Sequence, residues 1–182
     1  MGHYLFGFSG RINRAKIWLF VLIVLIFHIV AVAVVVGTLG PQNIANVIMQ
    51  KAPITTLTAN NAARSVGAII GLLHIVLIVA GLAVVTKRLH DRNKSAWWLL
   101  VFYALPFALN LPRTMILLHA LADGTLFKIA RHGGVEALGG PVVTLLSGAA
   151  TLIAIWAFVE LYCFRGTVGD NRYGADPLAG RG

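Results

Sequence analysis

The chain has 182 residues and a formal net charge of +9, and 58% of its residues are hydrophobic whereas only 12% are charged. About a quarter of the residues of a soluble domain are charged, so this composition argues against an ordinary soluble protein. The basic residues stand beside apolar blocks rather than along one amphipathic face, which argues against nucleic-acid binding. The single cysteine, Cys163, excludes an intrachain disulfide framework.

Four apolar stretches are long enough to cross the hydrocarbon core of a bilayer, which takes about 20 helical residues. The predicted spans cover residues 17–39, 66–86, 97–115 and 142–164. Pro106 and Pro112 interrupt the third stretch, where they favour a kink or a partly re-entrant course. The sequence therefore predicts an all-α protein, a four-helix transmembrane bundle. Residues 1–182 would form one membrane domain that ends in a polar cytoplasmic tail at residues 165–182.

The positions of lysine and arginine predict the orientation of these spans. Ten of them lie on the side of the two termini and five on the other side. Because the cytoplasmic side carries the excess of basic residues, both termini are predicted to be cytoplasmic (N-in, C-in). The two outer connections are longer than a hairpin needs. In the second of them, residues 112–134 carry apolar side chains at helical spacing, which predicts an amphipathic helix on the outer membrane surface.

Three polar segments, at residues 8–16, 86–98 and 165–177, fall on the same predicted face. Guanidinium groups fork onto phosphate or carboxylate, and aspartates can orient them through ion pairs. We therefore expect an anion- or partner-binding cluster there, although membrane anchoring and turn formation alone would also explain these residues. The cluster comprises Arg11, Arg14, Arg88, His90, Asp91, Arg172 and Asp176.

A divalent metal site is a further candidate at the same face. His90, Asp91 and Asp170 are metal-ligand residue types, but their spacing matches no known ligand pattern. We therefore expect no metal and no cofactor.

The three segments together resemble a known family. The pattern F-S-G-R-x-x-R before the first span is followed by R-L-H-D-x-x-x-S-x-W-W and, after the last span, by N-R-Y-G-x-D-P. This arrangement is similar to the bacterial inner-membrane family called domain of unknown function 805 (DUF805, YhaH-like). The resemblance covers all four spans. The matching residues are Phe8, Gly10, Arg11, Arg14, Arg88, Leu89, His90, Asp91, Ser95, Trp97, Trp98, Asn171, Arg172, Tyr173, Gly174, Asp176 and Pro177.

The chain departs from the family pattern at two positions. Ala96 stands where the family usually has glycine, and Ala175 where it usually has proline. The outer connections are also longer than is usual in the family. The resemblance implies a multi-pass protein of the bacterial inner membrane and implies no activity.

A second constellation lies deeper in the predicted spans. At a rise of about 1.5 Å per residue, one polar residue on each span reaches a similar depth near the bilayer centre. Intramembrane polar residues often mark a pathway for ions or solutes, whereas the alternative is hydrogen bonding between helices. This mid-membrane polar layer comprises His28, His74, Asn110 and Thr151.

Glu160 is the one acidic residue inside a predicted span, close to the inner end of that span. A charge at that depth is expensive to leave unpaired. We therefore expect an ion pair with Arg14, Lys87 or Arg88.

Two functions follow from these patterns. The first is a non-enzymatic membrane protein that binds a protein partner or an anionic lipid headgroup through the polar cluster. The alternative is a small oligomeric transporter or channel that uses the mid-membrane layer. The sequence lacks the nucleophile-elbow, P-loop and zinc-hydrolase motifs, so we expect no enzymatic activity.

Overall fold

The computed structural model describes residues 2–49, 61–125, 129, 133–134 and 136–179. Two short π-helical segments accompany the α-helices: π1 (Leu100–Ala104) leads directly into α5, and π2 (Val159–Cys163) continues α6. The only β-type pairing in the described residues is an isolated bridge between Asn171 and Gly174. The α-helices are α1 (Gly2–Phe6), α2 (Arg14–Leu39), α3 (Pro41–Ile48), α4 (Asn61–Asp91), α5 (Leu105–Ala122) and α6 (Gly140–Phe158).

Four helical stretches in the described part of the chain are long and apolar enough to cross a membrane: α2, α4, π1 with α5, and α6 with π2. Their large apolar side chains are widely exposed, as at Ile29 (61%), Leu72 (65%) and Leu152 (70%). A helix that is hydrophobic all round belongs in a protein core or in a bilayer, and within the described part of the chain these side chains are exposed. The predicted all-α protein with four spanning helices is confirmed, and which termini face the cytoplasm stays a prediction.

The helices run further than the predicted spans. The second span was predicted to end at residue 86, but α4 continues to Asp91 because residues 86–91 are buried within the protein rather than solvated. Pro112 lies inside α5, which continues to Ala122. Residues 112–122 of the predicted surface helix are thus continuous with the third span. Residues 126–128 and 130–132 of that prediction lie outside the described residues.

Side-chain and backbone caps fix the helix ends next to the polar segments. The Asn13 Oδ1 atom accepts a hydrogen bond from the Lys16 N–H at 3.1 Å, which caps the start of α2. At the end of α4, the Lys94 N–H donates to the Leu89 carbonyl at 2.8 Å and the Asn93 N–H to the His90 carbonyl at 3.0 Å. Asn93 has a φ of 56°, so this end is a Schellman motif in which asparagine takes the left-handed position.

The chain divides into two compact units. The first contains residues 1–26, 74–106 and 151–182, and the second contains residues 27–73 and 107–150. The first unit encloses a small hydrophobic core to which all four spans contribute, and the three polar segments belong to this unit. The core comprises Ile12, Ile17, Phe20, Ala80, Val84, Val85, Leu89, Phe102, Ala157 and Leu161.

The second unit contains α3, which begins directly after α2. Gly40 joins the two helices at a φ of 79° and Pro41 is the first residue of α3. Proline suits that position because the first helical N–H has no intrahelical acceptor. The Asn43 side chain donates to the Leu39 carbonyl at 2.8 Å, which satisfies one of the last carbonyls of α2.

Candidate functional site

The polar segments meet around the carboxylate of Asp91, the last residue of α4. The Arg11 Nη2 atom lies 3.1 Å from Asp91 Oδ1, and Arg88 Nη1 donates to Asp91 Oδ2. The side chains of Arg11 and Asp91 are 1% and 2% exposed, and that of Arg88 is fully buried. Buried charges are tolerated only when they are paired and hydrogen-bonded. Two guanidinium groups share one carboxylate, so both need further acceptors.

Arg11 finds its other acceptors in the C-terminal tail. Its Nη2 atom donates to the Thr167 carbonyl at 2.6 Å, and its Nη1 atom donates to the carbonyls of Gly169 at 2.7 Å and Gly174 at 3.2 Å. The two glycines have φ values of 76° and 128°, a conformation that other residues rarely adopt. The tail therefore folds around the Arg11 side chain and ties the N-terminal segment to the C-terminal one.

Arg88 and Arg14 bind the end of the fourth span. Arg88 Nε donates to the Leu161 carbonyl at 2.7 Å and Nη2 donates to the Phe164 carbonyl. Arg14 Nη1 donates to the Cys163 carbonyl at 3.0 Å. The last carbonyls of a helix have no intrahelical donor and carry partial negative charge. The two arginines satisfy these carbonyls and lock the ends of three spans together.

Backbone and side-chain hydrogen bonds complete this arrangement, which we call the Asp91 clasp (Arg11, Arg88, Asp91 and Thr167). The Thr167 N–H and hydroxyl both donate to the Asp91 carbonyl, at 2.8 and 3.0 Å. The Asn171 side chain donates to the Thr167 hydroxyl at 2.9 Å and to the His90 carbonyl at 3.0 Å. The motif residues thus hold one another.

His90 and Arg172 are held by the same tail. The His90 ring stacks on the Tyr173 ring with centroids 3.9 Å apart, and His90 Nδ1 lies 3.2 Å from the Gly10 carbonyl. The Arg172 guanidinium lies over the Tyr173 ring, with its central carbon 4.8 Å from the ring centroid. Arg172 also donates to the Asn93 carbonyl at 3.1 Å. Both residues therefore have structural partners.

Glu160 pairs with different residues from those predicted. Its Oε1 atom lies 3.0 Å from Arg92 Nε and 3.7 Å from Lys94 Nζ. The predicted pairing with Arg14, Lys87 or Arg88 is wrong. Arg14 and Arg88 use their N–H groups on the carbonyls described above, and Lys87 donates to the Tyr4 carbonyl.

A small cavity opens beside the clasp. It has a volume of about 30 Å³ and is bordered by Arg14, Arg88, Arg165, Gly166 and Asp176, among others. Arg14 and Arg165 are exposed, whereas Arg88 forms part of the buried clasp. A space of this size holds about one water-sized group. The cavity therefore suits a single oxygen atom of a larger anion whose remainder stays outside, within reach of the exposed guanidinium groups.

The carboxylate of Asp176 borders one side of this cavity. Its two oxygens accept hydrogen bonds from the N–H groups of Leu178 and Gly169, each at 2.9 Å. These two bonds lower the pKa of Asp176 below its ordinary value, because they stabilise the charged form. The side chain thus shapes the tail and remains ionised at neutral pH.

All seven predicted cluster residues lie in the first unit, and we call the surface formed there by residues 10–14, 90–94 and 164–178 the terminal face. The mid-membrane layer is divided: His74 and Thr151 belong to the first unit, and His28 and Asn110 to the second. That layer stays a prediction. Among the described residues, no group of three or more His, Cys, Asp or Glu side chains could hold a metal ion.

Gly166, Thr167 and Arg165 were missed by sequence reasoning. They follow the last span directly and lie in the third predicted polar segment, but they are not among the seven predicted cluster residues. Their roles come from contacts with Asp91 and Arg92, about 75 positions earlier in the chain. A single sequence carries no signal for such a pairing.

The family profile described as "Protein of unknown function (DUF805)" matches residues 5–175, which is nearly the whole chain. No curated protein and no solved structure matches it.

Proposed function

The chain belongs to the DUF805 family, and we propose that it is a non-enzymatic protein of the bacterial inner membrane whose terminal face binds the phosphate of an anionic lipid headgroup. In this proposal both termini are cytoplasmic, as the excess of lysine and arginine on that side indicates. The terminal face then lies against the headgroups of the cytoplasmic leaflet, where anionic lipids are found.

The cavity beside the Asp91 clasp carries the proposal. Three arginines border a space that fits one oxygen atom, together with two aspartates: Arg14, Arg88, Arg165, Asp91 and Asp176. Arginine binds phosphate through charge-assisted hydrogen bonds in a fork geometry. Asp91 also borders the cavity and is paired with Arg11 and Arg88, and Asp176 is the other carboxylate among the described residues that border it.

The geometry also changes which residues we expect to bind. Arg11 and Arg88 donate to Asp91 and to backbone carbonyls, so they build the site rather than bind the ligand. Arg14 and Arg165 are exposed and stand at the cavity, and Arg14 donates through Nη1 to the Cys163 carbonyl while its side chain stays exposed. We therefore propose that Arg14 and Arg165 bind the anion. An Arg88 variant would disturb the fold and would not report on binding.

The test is native mass spectrometry of the full chain, reconstituted in vesicles of phosphatidylcholine with phosphatidylglycerol and extracted gently. Wild type is compared with Arg14→Gln/Arg165→Gln and with the control Arg64→Gln/Arg113→Gln, which removes the same charge from the second unit. A hydrogen bond to a charged group contributes about 1.5–3 kcal/mol. We therefore expect the double variant to retain phosphatidylglycerol at least about tenfold less well.

The outcomes separate the sources of the anion. Stoichiometric phosphatidylglycerol that survives in the control and is lost in the double variant supports the proposal. Displacement by inorganic phosphate at millimolar concentration would assign the site to free phosphate. An adduct that is indifferent to the two arginines, or a polypeptide adduct lost in their absence, would overturn lipid binding.

A further inference from the structure

A second, larger cavity lies within the spanning helices of the first unit. It has a volume of about 320 Å³, and all four spans contribute to its lining. The lining is predominantly apolar, with Phe20 and Val24 on α2 and Ile78 and Gly81 on α4. Small-molecule sites typically begin at about 300 Å³ and combine an apolar lining with a few polar groups. No residue that borders this cavity borders the arginine cavity.

The polar side chains that border this cavity are those of Tyr103 and Tyr162, each of which carries a hydroxyl. A tyrosine hydroxyl has one proton that it can donate to a guest. The ligand therefore needs a hydrogen-bond acceptor at one end of an otherwise apolar body.

Both tyrosines lie in π-helical turns, Tyr103 in π1 and Tyr162 in π2. A π turn inserts an extra residue and re-aims the side chains around it, and such turns occur frequently at functional sites. Two such turns, on different spans, direct their tyrosines to one cavity. This coincidence points to a built site rather than to a packing gap.

The depth of the cavity identifies the class of ligand. Tyr162 and Tyr103 lie near those ends of their spans that adjoin the terminal face. Aromatic residues with a polar tip are common at this level, the membrane interface. Val24 lies ten residues into α2, which corresponds to about 15 Å along the helix. The cavity thus begins at the depth of lipid ester groups and continues into the hydrocarbon core.

Its volume agrees with part of a lipid chain. An apolar cavity of about 150 Å³ accommodates one benzene molecule, so 320 Å³ accommodates about twelve carbon atoms by the same measure. Ile78 and Leu82 border the cavity and are 59% and 38% exposed, which leaves it open towards the surrounding hydrocarbon. Water has little to bond to in such a lining, whereas a lipid chain enters without crossing a polar barrier.

We propose that this cavity binds one acyl chain of a glycerophospholipid, with the ester carbonyl accepting a hydrogen bond from the Tyr103–Tyr162 pair. The chain then runs past Phe20 and Val24 towards Ile78. The recognition rests on the ester and the chain, so it is independent of headgroup charge and of the anion-binding proposal.

The test uses the full chain in vesicles of phosphatidylcholine that contain a small fraction of the same lipid with a diazirine on its acyl chain. Phosphatidylcholine has no net charge, so failure of the arginine cavity to bind anions would not affect the result. After illumination, lipid adducts are mapped by mass spectrometry. We expect adducts at Tyr103, Tyr162 and Ile78 to exceed those at Leu152, which is 70% exposed outside the cavity.

Gly81 offers a variant that fills the cavity. A Cβ there would lie 3.6 Å from the Phe20 ring, an ordinary contact, and the rest of a leucine would occupy the space. Gly81→Leu should reduce the cavity adducts by about fivefold or more. Gly71→Leu is the control on the same helix, because a Cβ at Gly71 meets nothing within 4 Å. Adducts that are spread evenly over the lipid-exposed residues, or that persist in Gly81→Leu, would overturn the proposal.

A second comparison tests the ester carbonyl and does not depend on the folding of Gly81→Leu. Wild type should retain the diazirine ester lipid about fivefold better than its ether analogue, since one hydrogen bond is lost. Tyr103→Phe/Tyr162→Phe keeps both rings, removes both hydroxyl donors and should abolish this preference while the chain adducts remain. Equal retention of ester and ether lipids by wild type, or cross-links to a second copy of the chain in place of lipid, would contradict the assignment.

Discussion

The backbone of Gly166 passes so close to the Asp91 carboxylate that a Cβ on residue 166 would overlap it. Asp91 cannot move aside easily, because Arg11 and Arg88 hold both of its oxygens. The φ angle of Gly166 is not in the left-handed region. Glycine is therefore required at this position because a side chain would not fit beside the Asp91 carboxylate, and not because of its backbone conformation.

Replacing Gly166 by alanine should destabilise the terminal face. Overpacking of a well-packed interior usually costs about 1–3 kcal/mol, and we expect a loss of that size in the free energy of unfolding in detergent. Gly148→Ala is the control, because a Cβ there meets nothing within 4 Å and alanine favours the helix. A Gly166→Ala protein as stable as the Gly148→Ala protein would contradict the packing.

Removal of the Asp91 charge should be more damaging than removal of a surface charge. Asp91→Asn keeps the shape of the side chain but leaves Arg11 and Arg88 buried without their carboxylate. Loss of one partner of a buried ion pair costs about 3–5 kcal/mol, measured as a shift of the unfolding midpoint. Asp123→Asn, at an exposed position, should change stability by less than about 0.5 kcal/mol. Equal effects of the two substitutions would show that the clasp contributes no stability.

The spans were predictable from the sequence because their signal is local. A run of some 20 apolar residues must be helical in a bilayer, since every backbone N–H and C=O needs an internal partner there. The bounds were less predictable. The helix α4 reaches Asp91 because Arg88 and Asp91 are satisfied by residues from the two terminal segments, and local hydropathy carries no information about that contact.

The cluster was predictable in its membership but not in its internal pairing. An even number of spans brings the three motifs to one side of the membrane, and Arg11, Arg88 and Asp91 do meet there. Their hydrogen bonds to the carbonyls of residues 161–174 follow from the path of the tail. A single sequence does not specify that path. Arg11 and Arg88, which bind other parts of the same chain, were therefore predicted to bind a ligand.

The tail loop should lose stability in acid because of Asp176. Folding lowers the pKa of this carboxyl below its ordinary value of 3.8. The stabilisation is therefore fully present above pH 3.8 and is lost as the pH falls through the lower pKa of the folded protein. The amide signals of Gly169 and Leu178, followed by NMR, should titrate at a lower pH than Asp176 does in a free peptide of residues 165–179.

Asp176→Asn is the control for this titration. It should remove the pH dependence of the two amide signals, because the amide side chain does not ionise. A midpoint in wild type at or above that of the free peptide would contradict the hydrogen bonds of the carboxylate.

The Glu160 ion pair tests how π2 orients its side chains. Glu160 lies in this π turn and is 7% exposed, and it meets Arg92 rather than Lys87 or Arg88. A double-mutant cycle of Glu160→Gln with Arg92→Gln should therefore show a coupling of about 1 kcal/mol in the free energy of unfolding. The matched cycle of Glu160→Gln with Lys87→Gln should show a coupling near zero, because Lys87 donates to the Tyr4 carbonyl instead. A larger coupling with Lys87 than with Arg92 would mean that the turn continues as a regular α-helix and presents Glu160 to a different face.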